Sequence, residues 1–262
     1  MTRILRAELL KVTRRSMVLA VLAVLLVATI SITAIVFTGA DGATGPGQSR
    51  VPTVEDLSAA GGGTEAFSLG VSFMGFFVFV LFIANWSGEF SQATFRTLLL
   101  KEPRRLAVLG GKMAGLLVYL AVVLAVAAGL TWTLSLALAP ATRISTDEWF
   151  TVRAIEENSR DYLNAFIGLG AWACYGMLLG VLIRSTPIAL AAGIVWAGPV
   201  EHIVQNNWSG VVAWFPGLLL EALAVGGTSD ASYLRVLVLT SGYVAVALIA
   251  VGLSFVRRDM VT

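Results

Sequence analysis

"NWSGEFSQATFRTLLLKEPRRLAVLGGK", residues 85–112, carries five basic and two acidic side chains and one proline. On either side lie stretches too apolar for water to hold. A charged, proline-broken block in that setting is where a chain leaves one membrane span and enters the next. How it is built decides the fold, and what its exposed face offers decides the function.

The surroundings bear this out by composition. Of 262 residues, 57% are hydrophobic and only 13% are charged, and the mean hydropathy is +0.84. Soluble domains carry about 25% charged residues, so this chain lacks the polar surface to cover a globule and its solvent is lipid. A helix crosses a bilayer with about 20 apolar residues. Such runs fall at 16–37, 67–86, 106–138, 163–183, 187–204 and 234–255. The expectation is an all-α integral membrane protein, one transmembrane domain over 1–262 with six helices. The third run exceeds what a bilayer requires and should tilt or protrude. The apolar core of the first exceeds the roughly 7–15 residues of a signal peptide, so it is expected as a retained helix.

Charge sets the orientation. The N-terminus, the 85–112 block, Arg184 and the C-terminus together hold thirteen cations and four acids, a net +9. The alternate loops hold five cations and twelve acids, a net −7. Six spans with both termini cytoplasmic fit this asymmetry. The overall charge of +2 conceals a polarised molecule.

Residues 1–15, "MTRILRAELLKVTRR", place Ile4, Leu5, Leu9 and Val12 on one side and Arg3, Arg6, Lys11, Arg14 and Arg15 around the rest. That pattern predicts an amphipathic interfacial helix on an anionic leaflet; the plainer reading is a positive-inside anchor. The first outer loop, 39–65, has "GPG" and "GGG" breakers and reads as an irregular exposed connection. Residues 139–162 predict a short amphipathic surface helix anchored by Trp149 and Phe150. Residues 206–233 contain "VVAWFPGLLLEALAVGG", too apolar for a loop and too broken by Pro216 and Gly217 to span twice. A re-entrant or interfacial outer hairpin is expected there, with Trp208 and Trp214 at the headgroups.

Several chemistries are excluded. One cysteine, Cys174, and one histidine, His202, leave no disulfide, no Cys-based zinc cluster and no support for Ser-His-Asp catalysis. "LGGKM" at 109–113 is no phosphate-binding loop: the leading Gly would fall at Leu106, and Met113 stands where Ser or Thr is required. No catalytic, metal or cofactor residue is assigned. The spans read as essentially free of ionisable groups, with Glu89, Glu201, His202 and Arg235 at or beyond helix ends, so no ion path is evident. Phe73, Phe76 and Phe77 share one helix face, a greasy route or ordinary packing. Gly176 and Gly180 permit close helix approach, within the subunit or across a dimer.

Within the block, "SGEFSQATFRTLLLKE" has a helical rhythm. Phe90, Thr94, Thr97 and Leu98 fall on one side, and Glu89, Gln92 and Arg96 toward another. Pro103 stops the helix. By itself this is either a docking helix over 87–105 or a polar hairpin. Glu89, then Thr94-x-Arg96-x-Leu98-Leu99, then Pro103-x-Arg105, then Lys112 resembles the ABC-2 type permeases of ATP-binding-cassette exporters. The six spans, the basic N-terminal helix, "LLGVLIRSTPIALAAGI" at 178–194 and the closing "FVRRDM" are similar to that family over the whole chain.

That resemblance implies a transmembrane permease subunit in a bacterial plasma membrane. It implies a coupling helix that meets an ATPase through Glu89, Phe90, Thr94, Phe95, Arg96, Leu98, Pro103, Arg104, Arg105 and Lys112. ATP and Mg would be bound by a partner ATPase subunit, in two copies, and a second permease, identical or related, would complete the assembly. Lipids are the remaining partner and nucleic acid is not one. The cargo expected is hydrophobic or amphipathic: a drug, antibiotic, peptide or lipid-linked compound. The rival readings are an ion-coupled transporter acting without an ATPase and a non-transporting immunity or assembly protein.

The charge asymmetry predicts a labelling pattern. In a Cys174→Ala background, a cysteine at Ser49 or Thr146 should react with an impermeant thiol reagent added outside intact cells, and one at Lys101 should not. Labelling at 101 alone would reverse the topology.

Overall fold

The computed structural model describes residues 2–40, 52–92, 94–101, 104–208, 210–224, 226–227 and 231–257. Its helices, in order, are α1 (Thr2–Val12), α2 (Arg15–Gly39), α3 (Val54–Ser58), α4 (Glu65–Ser91), α5 (Thr94–Lys101) and α6 (Arg105–Leu138). There follow α7 (Val152–Ile183), α8 (Thr186–Val195), α9 (Glu201–Asn207), α10 (Pro216–Ala224) and α11 (Tyr233–Arg257). Among the described residues, six segments are long and apolar enough to cross a membrane: Arg15–Gly39, Met74–Ser91, Arg105–Thr142, Val152–Ile183, Thr186–Gln205 and Tyr233–Arg257. The chain is a multi-pass membrane protein. Each segment overlaps one of the six apolar runs, because a bilayer leaves the main chain no partner for its N–H and C=O groups except its own helix. With 34 residues, α6 is about 50 Å long, well beyond the roughly 30 Å hydrocarbon core.

The bundle is organised around α4 and α7. Close approach needs small residues, and α7 supplies Gly176 and Gly180 where α4 crosses. A Cβ at Gly176 would stand 2.7 Å from the Phe79 carbonyl oxygen, and one at Gly180 2.7 Å from Trp86 Cβ. The Gly176/Gly180 pair therefore serves packing within the chain. Phe79, Ile83, Leu169 and Trp172 fill the contact beside Val71, Leu120 and Leu124. Phe67, Phe79, Phe82 and Trp86 are buried aromatics of α4, whereas Phe77 faces outward.

At the end remote from α1, three expectations change. Residues 52–64 are no irregular exposed connection. Thr53 and Asp56 form a reciprocal capping box at α3, and the Thr53 backbone and hydroxyl donors hold the Asp56 carboxyl below its ordinary range. Behind that cap, Leu57 is buried with Phe37, Ala66 and Trp149. Trp149 is core, not a headgroup anchor: its ring lies 5.7 Å from that of Trp132, and its Nε1 donates to the Leu57 carbonyl at 2.9 Å. Phe150 remains exposed. The amphipathic pattern after it is no separate surface helix. Capped by Thr151, it is the first part of α7, which runs unbroken into the fourth span.

The segment before the last span packs against neighbouring elements. Leu218, Leu219, Ala222 and Leu223 of α10 pack with Val211, Val212 and Val236, while Trp208 and Trp214 stay exposed.

The α4–α7 wedge predicts a contrast between two chemically identical changes. Gly180→Ala has to push Trp86 and the main chain at Ile83 and Ser87 apart, which costs about 1–3 kcal/mol. Gly129→Ala, with nothing within 4 Å of the added Cβ, should leave the thermal midpoint of the purified protein unchanged or slightly raised. Equal melting of the two variants would mean that the helices are not locked at this crossing.

Candidate functional site

Three helices converge at the basic end, and aromatic rings join them. Trp86 and Phe90 come from the last turns of α4, Phe95 from α5 and Phe255 from the end of α11. Phe95 is buried at their centre, with centroid distances of 4.7 Å to Phe90, 5.2 Å to Phe255 and 6.0 Å to Trp86. Those spacings are attractive ring contacts. The Arg184 guanidinium lies 4.9 Å over the Phe90 ring, a cation–π geometry. Arg105 Nη1 donates to the carbonyl oxygens of Phe255 at 3.2 Å and Val256 at 2.9 Å. A cation there complements the partial negative charge at the end of α11.

Beside the rings lies an ionic cluster. Lys112, on the second turn of α6, is 2% exposed. Its ammonium donates to Glu8 Oε1 of α1 at 2.9 Å and Glu89 Oε1 of α4 at 3.0 Å, and sits 5.3 Å from the centroid of the Trp86 ring. Lys11 also donates to Glu89. Two cations and two carboxylates make a neutral cluster, the arrangement under which burial of a charge is tolerable. Gly115 lets α1 approach, since a Cβ there would meet the Leu5 carbonyl oxygen at 3.3 Å. Ile4 and Val12 of α1 are buried in the same cluster as Val108, Met113 and Leu116 of α6. The apolar face of the amphipathic helix is thus spent on protein, while the large apolar side chain of Leu10 is exposed.

The ten residues expected to meet a partner fall into groups. Glu89, Phe95 and Lys112 are inside the chain, so they can act on a partner only by positioning other residues. Phe90 and Leu98 are partly buried against the rings, and Arg105 holds α11. Thr94 and Arg104 are exposed. Pro103 and the side chain of Arg96 lie outside the described residues. The single helical rhythm over 87–102 divides: Phe90 ends α4, and α5 turns Phe95, Leu98 and Leu99 inward while Leu100 stands 82% exposed. Glu89 pairs with Lys112 and Lys11.

The residues missing from the sequence-level set are Glu8, Lys11, Trp86 and Phe255. A signal for two of them existed. Lys112 falls within the third apolar run, and a lysine there needs an anion; Glu8 and Lys11 are one turn apart on the helix that supplies it.

A second buried charge corrects the picture of uncharged spans. Glu201 is 0% exposed, within the segment Thr186–Gln205. There the helix passes from α8 through a π turn at Trp196–Val200, containing Pro199, into α9. Glu201 Oε2 accepts from the Leu218 N–H at 3.0 Å, in the first turn of α10, where a carboxylate is favoured. His202 is half exposed, with Nε2 3.5 Å from Glu221 of the same α10.

No family model, curated protein or solved structure matches this chain, so the chemistry of these two ends carries the functional reading. The Lys112 cluster makes a quantitative claim of its own. Lys112→Met leaves two buried carboxylates facing one lysine and should destabilise by about 3–5 kcal/mol. Adding Glu8→Leu and Glu89→Leu should restore most of that loss, read as thermal midpoint and as protease resistance of α1. A single variant as stable as wild type would mean that the cluster is not formed.

Proposed function

We infer that the chain is the permease subunit of an ATP-driven exporter of the ABC-2 type, in a bacterial plasma membrane. A separate ATPase, in two copies, binds and hydrolyses ATP with Mg, and a second permease, identical or related, completes the complex. On this reading both termini and α5 are cytoplasmic, and α10 is the outer re-entrant element. The cargo is hydrophobic or amphipathic.

One observation carries the reading. A short helix, α5, connects two spans directly, keeps its inner face bonded through Phe95 to α4 and α11, and leaves Leu100 almost fully exposed. A polar hairpin has no use for an outward leucine beside a basic surface. A docking helix has: burying a leucine contributes about 1.5–3 kcal/mol, and a push on α5 moves α4 and α6 together. Transmission of that kind needs differential contacts in two states, and an exposed face with a fixed inner face supplies them. α1, held to α6 by Glu8 and Lys112, brings a second basic surface to the same end.

Glu201 favours a second reading, an ion-coupled carrier working alone. A fully buried acid beside a π turn and Pro199 in the fifth span is the kind of polar interruption such a carrier needs. The exporter predicts transport only with the ATPase present; the carrier predicts transport by the purified chain in vesicles under an ion gradient.

The docking claim is tested at residues with little packing to lose. Leu100→Glu and Arg104→Glu should insert in wild-type amounts. Each should weaken co-purification of an ATPase from native membranes, Leu100→Glu by about 2 kcal/mol, near thirtyfold, with ATP hydrolysis freed from export. The chain purified without its ATPase should hydrolyse no ATP. Absence of any co-purifying ATPase, or normal export by both variants, sinks the proposal.

A further inference from the structure

The end of α1 and the start of α2 form an elbow whose outer side is cationic and uncompensated. Only Thr13 and Arg14 join Val12 to Arg15. Ile4, Glu8 and Val12 turn inward, which leaves Arg6 and Leu10, one turn apart, exposed on the other side of α1. Arg14 and Arg15 stand exposed at the bend. The nearby acids Glu8 and Glu89 are taken by Lys112 and Lys11. Among the described residues, no carboxylate comes within ion-pair distance of Arg6, Arg14 or Arg15. Just past the bend the surface turns apolar: Met17, Leu19 and Leu22 are exposed on α2, which has the least protein around it of the six described spans.

We propose that this elbow binds an anionic phospholipid of the adjoining leaflet, with its phosphate at Arg14 and Arg15 and its acyl chains along Met17, Leu19 and Leu22. The spacing fits one lipid molecule. Leu19 and Leu22 lie about 6 and 10 Å beyond Arg15 along α2, and the polar layer on each side of the hydrocarbon core is about 5–7 Å thick. An arginine among the headgroups therefore sets both leucines beside acyl chains. Charge selects the headgroup. A zwitterionic lipid brings its own cation to arginines that already repel one another, whereas an anionic one neutralises them. Two other occupants match less of the surface. A free phosphate meets the arginines and leaves the apolar side chains uncovered. An acidic protein cleft suits Arg104 and Leu100, but at the elbow it would have to enter hydrocarbon to reach Leu19 and Leu22. The lipid is met by the cationic side of α1 and by the start of the span, not by the apolar face of α1, which is spent on α6. The site needs a bilayer around the chain and does not depend on an ATPase.

The test uses the full chain in a neutral detergent, with lipid binding read by native mass spectrometry. Dioleoyl phosphatidylglycerol should bind at least about tenfold more tightly than dioleoyl phosphatidylcholine, since each arginine near a negative headgroup is worth about fivefold. Arg14→Gln and Arg15→Gln should each weaken phosphatidylglycerol binding about fivefold, and Arg14→Lys, which keeps the charge, should retain most of it. Arg235→Gln, at an exposed arginine opening α11 at the opposite end, should change nothing. Glycerol phosphate, the headgroup without its chains, should not displace the lipid at equal concentration. In nanodiscs, phosphatidylglycerol with a diazirine in its acyl chain should give its densest adducts on residues 15–25. Equal affinity for the two lipids overturns the proposal, as does indifference to both glutamine variants. An equal loss in Arg235→Gln overturns it by reducing the binding to overall charge, and displacement by glycerol phosphate does so by leaving a bare anion site. Adducts no denser on 15–25 than around Val238 and Ile249 of α11 overturn it too, because a protein neighbour rather than lipid then covers the elbow.

Discussion

An ammonium group inside an apolar bundle cannot stand alone, and Lys112 is such a group. Seven residues after the start of α6, it lies about 10 Å along the helix, and its side chain turns inward, under 2% exposed carbons and nitrogen being left to solvent. Inward, it needs anions, and α6 has none nearby. Glu89 comes from the last turns of α4 and Glu8 from α1, at 3.0 and 2.9 Å. Two helices far apart in sequence are thereby fixed to a third. Once Glu8 is drawn in, Ile4 and Val12, on the same face one turn to either side, are drawn in with it. The placement of α1 follows from one lysine.

The same cluster shapes the surface. Glu8 and Glu89 are the acids described at this end, and both are consumed internally by Lys112 and Lys11. What remains outward is cationic: Arg6, Arg14, Arg15, Arg104 and Arg257 are exposed. A positive field at one end of a membrane protein orients it toward anionic lipid and equally offers complementarity to an acidic protein cleft. Leu100, standing out from α5 within that field, adds an exposed apolar contact.

Much of the fold was legible because a bilayer imposes one rule on every residue. A run of about 20 apolar residues has to become a helix, so the six spans followed from hydropathy. The two ends were harder because there the solvent changes from lipid to protein, and hydropathy does not distinguish them. Trp149 has the composition of an interface anchor and proves to be core, since only the fold brings Trp132 and the Leu57 carbonyl to it. The pattern over 152–162 is amphipathic, but no breaker separates it from the fourth span, and a helix without a stop signal continues. In the block at 85–112, the periodicity of Phe90, Thr94 and Leu98 was real, but a break after Ser91 divides it between two helices. Counting Lys112 with the loop charges satisfied the orientation rule and concealed its position inside a span.

Lys112 and Glu201 answer the same electrostatic demand by different means, and the difference bears on stiffness. Lys112 is neutralised by full opposite charges on two other helices, reinforced by stacked rings, so separating α1, α4 and α6 strands buried ions. Glu201 is met by the first turn of α10, where the Leu218 and Gly217 N–H groups donate to it, and it follows a π turn in which Pro199 has removed a main-chain donor. Partial rather than whole charges stabilise that second site. The fifth span is interrupted at 196–200 by a π turn that contains Pro199, next to the point where Glu201 meets α10.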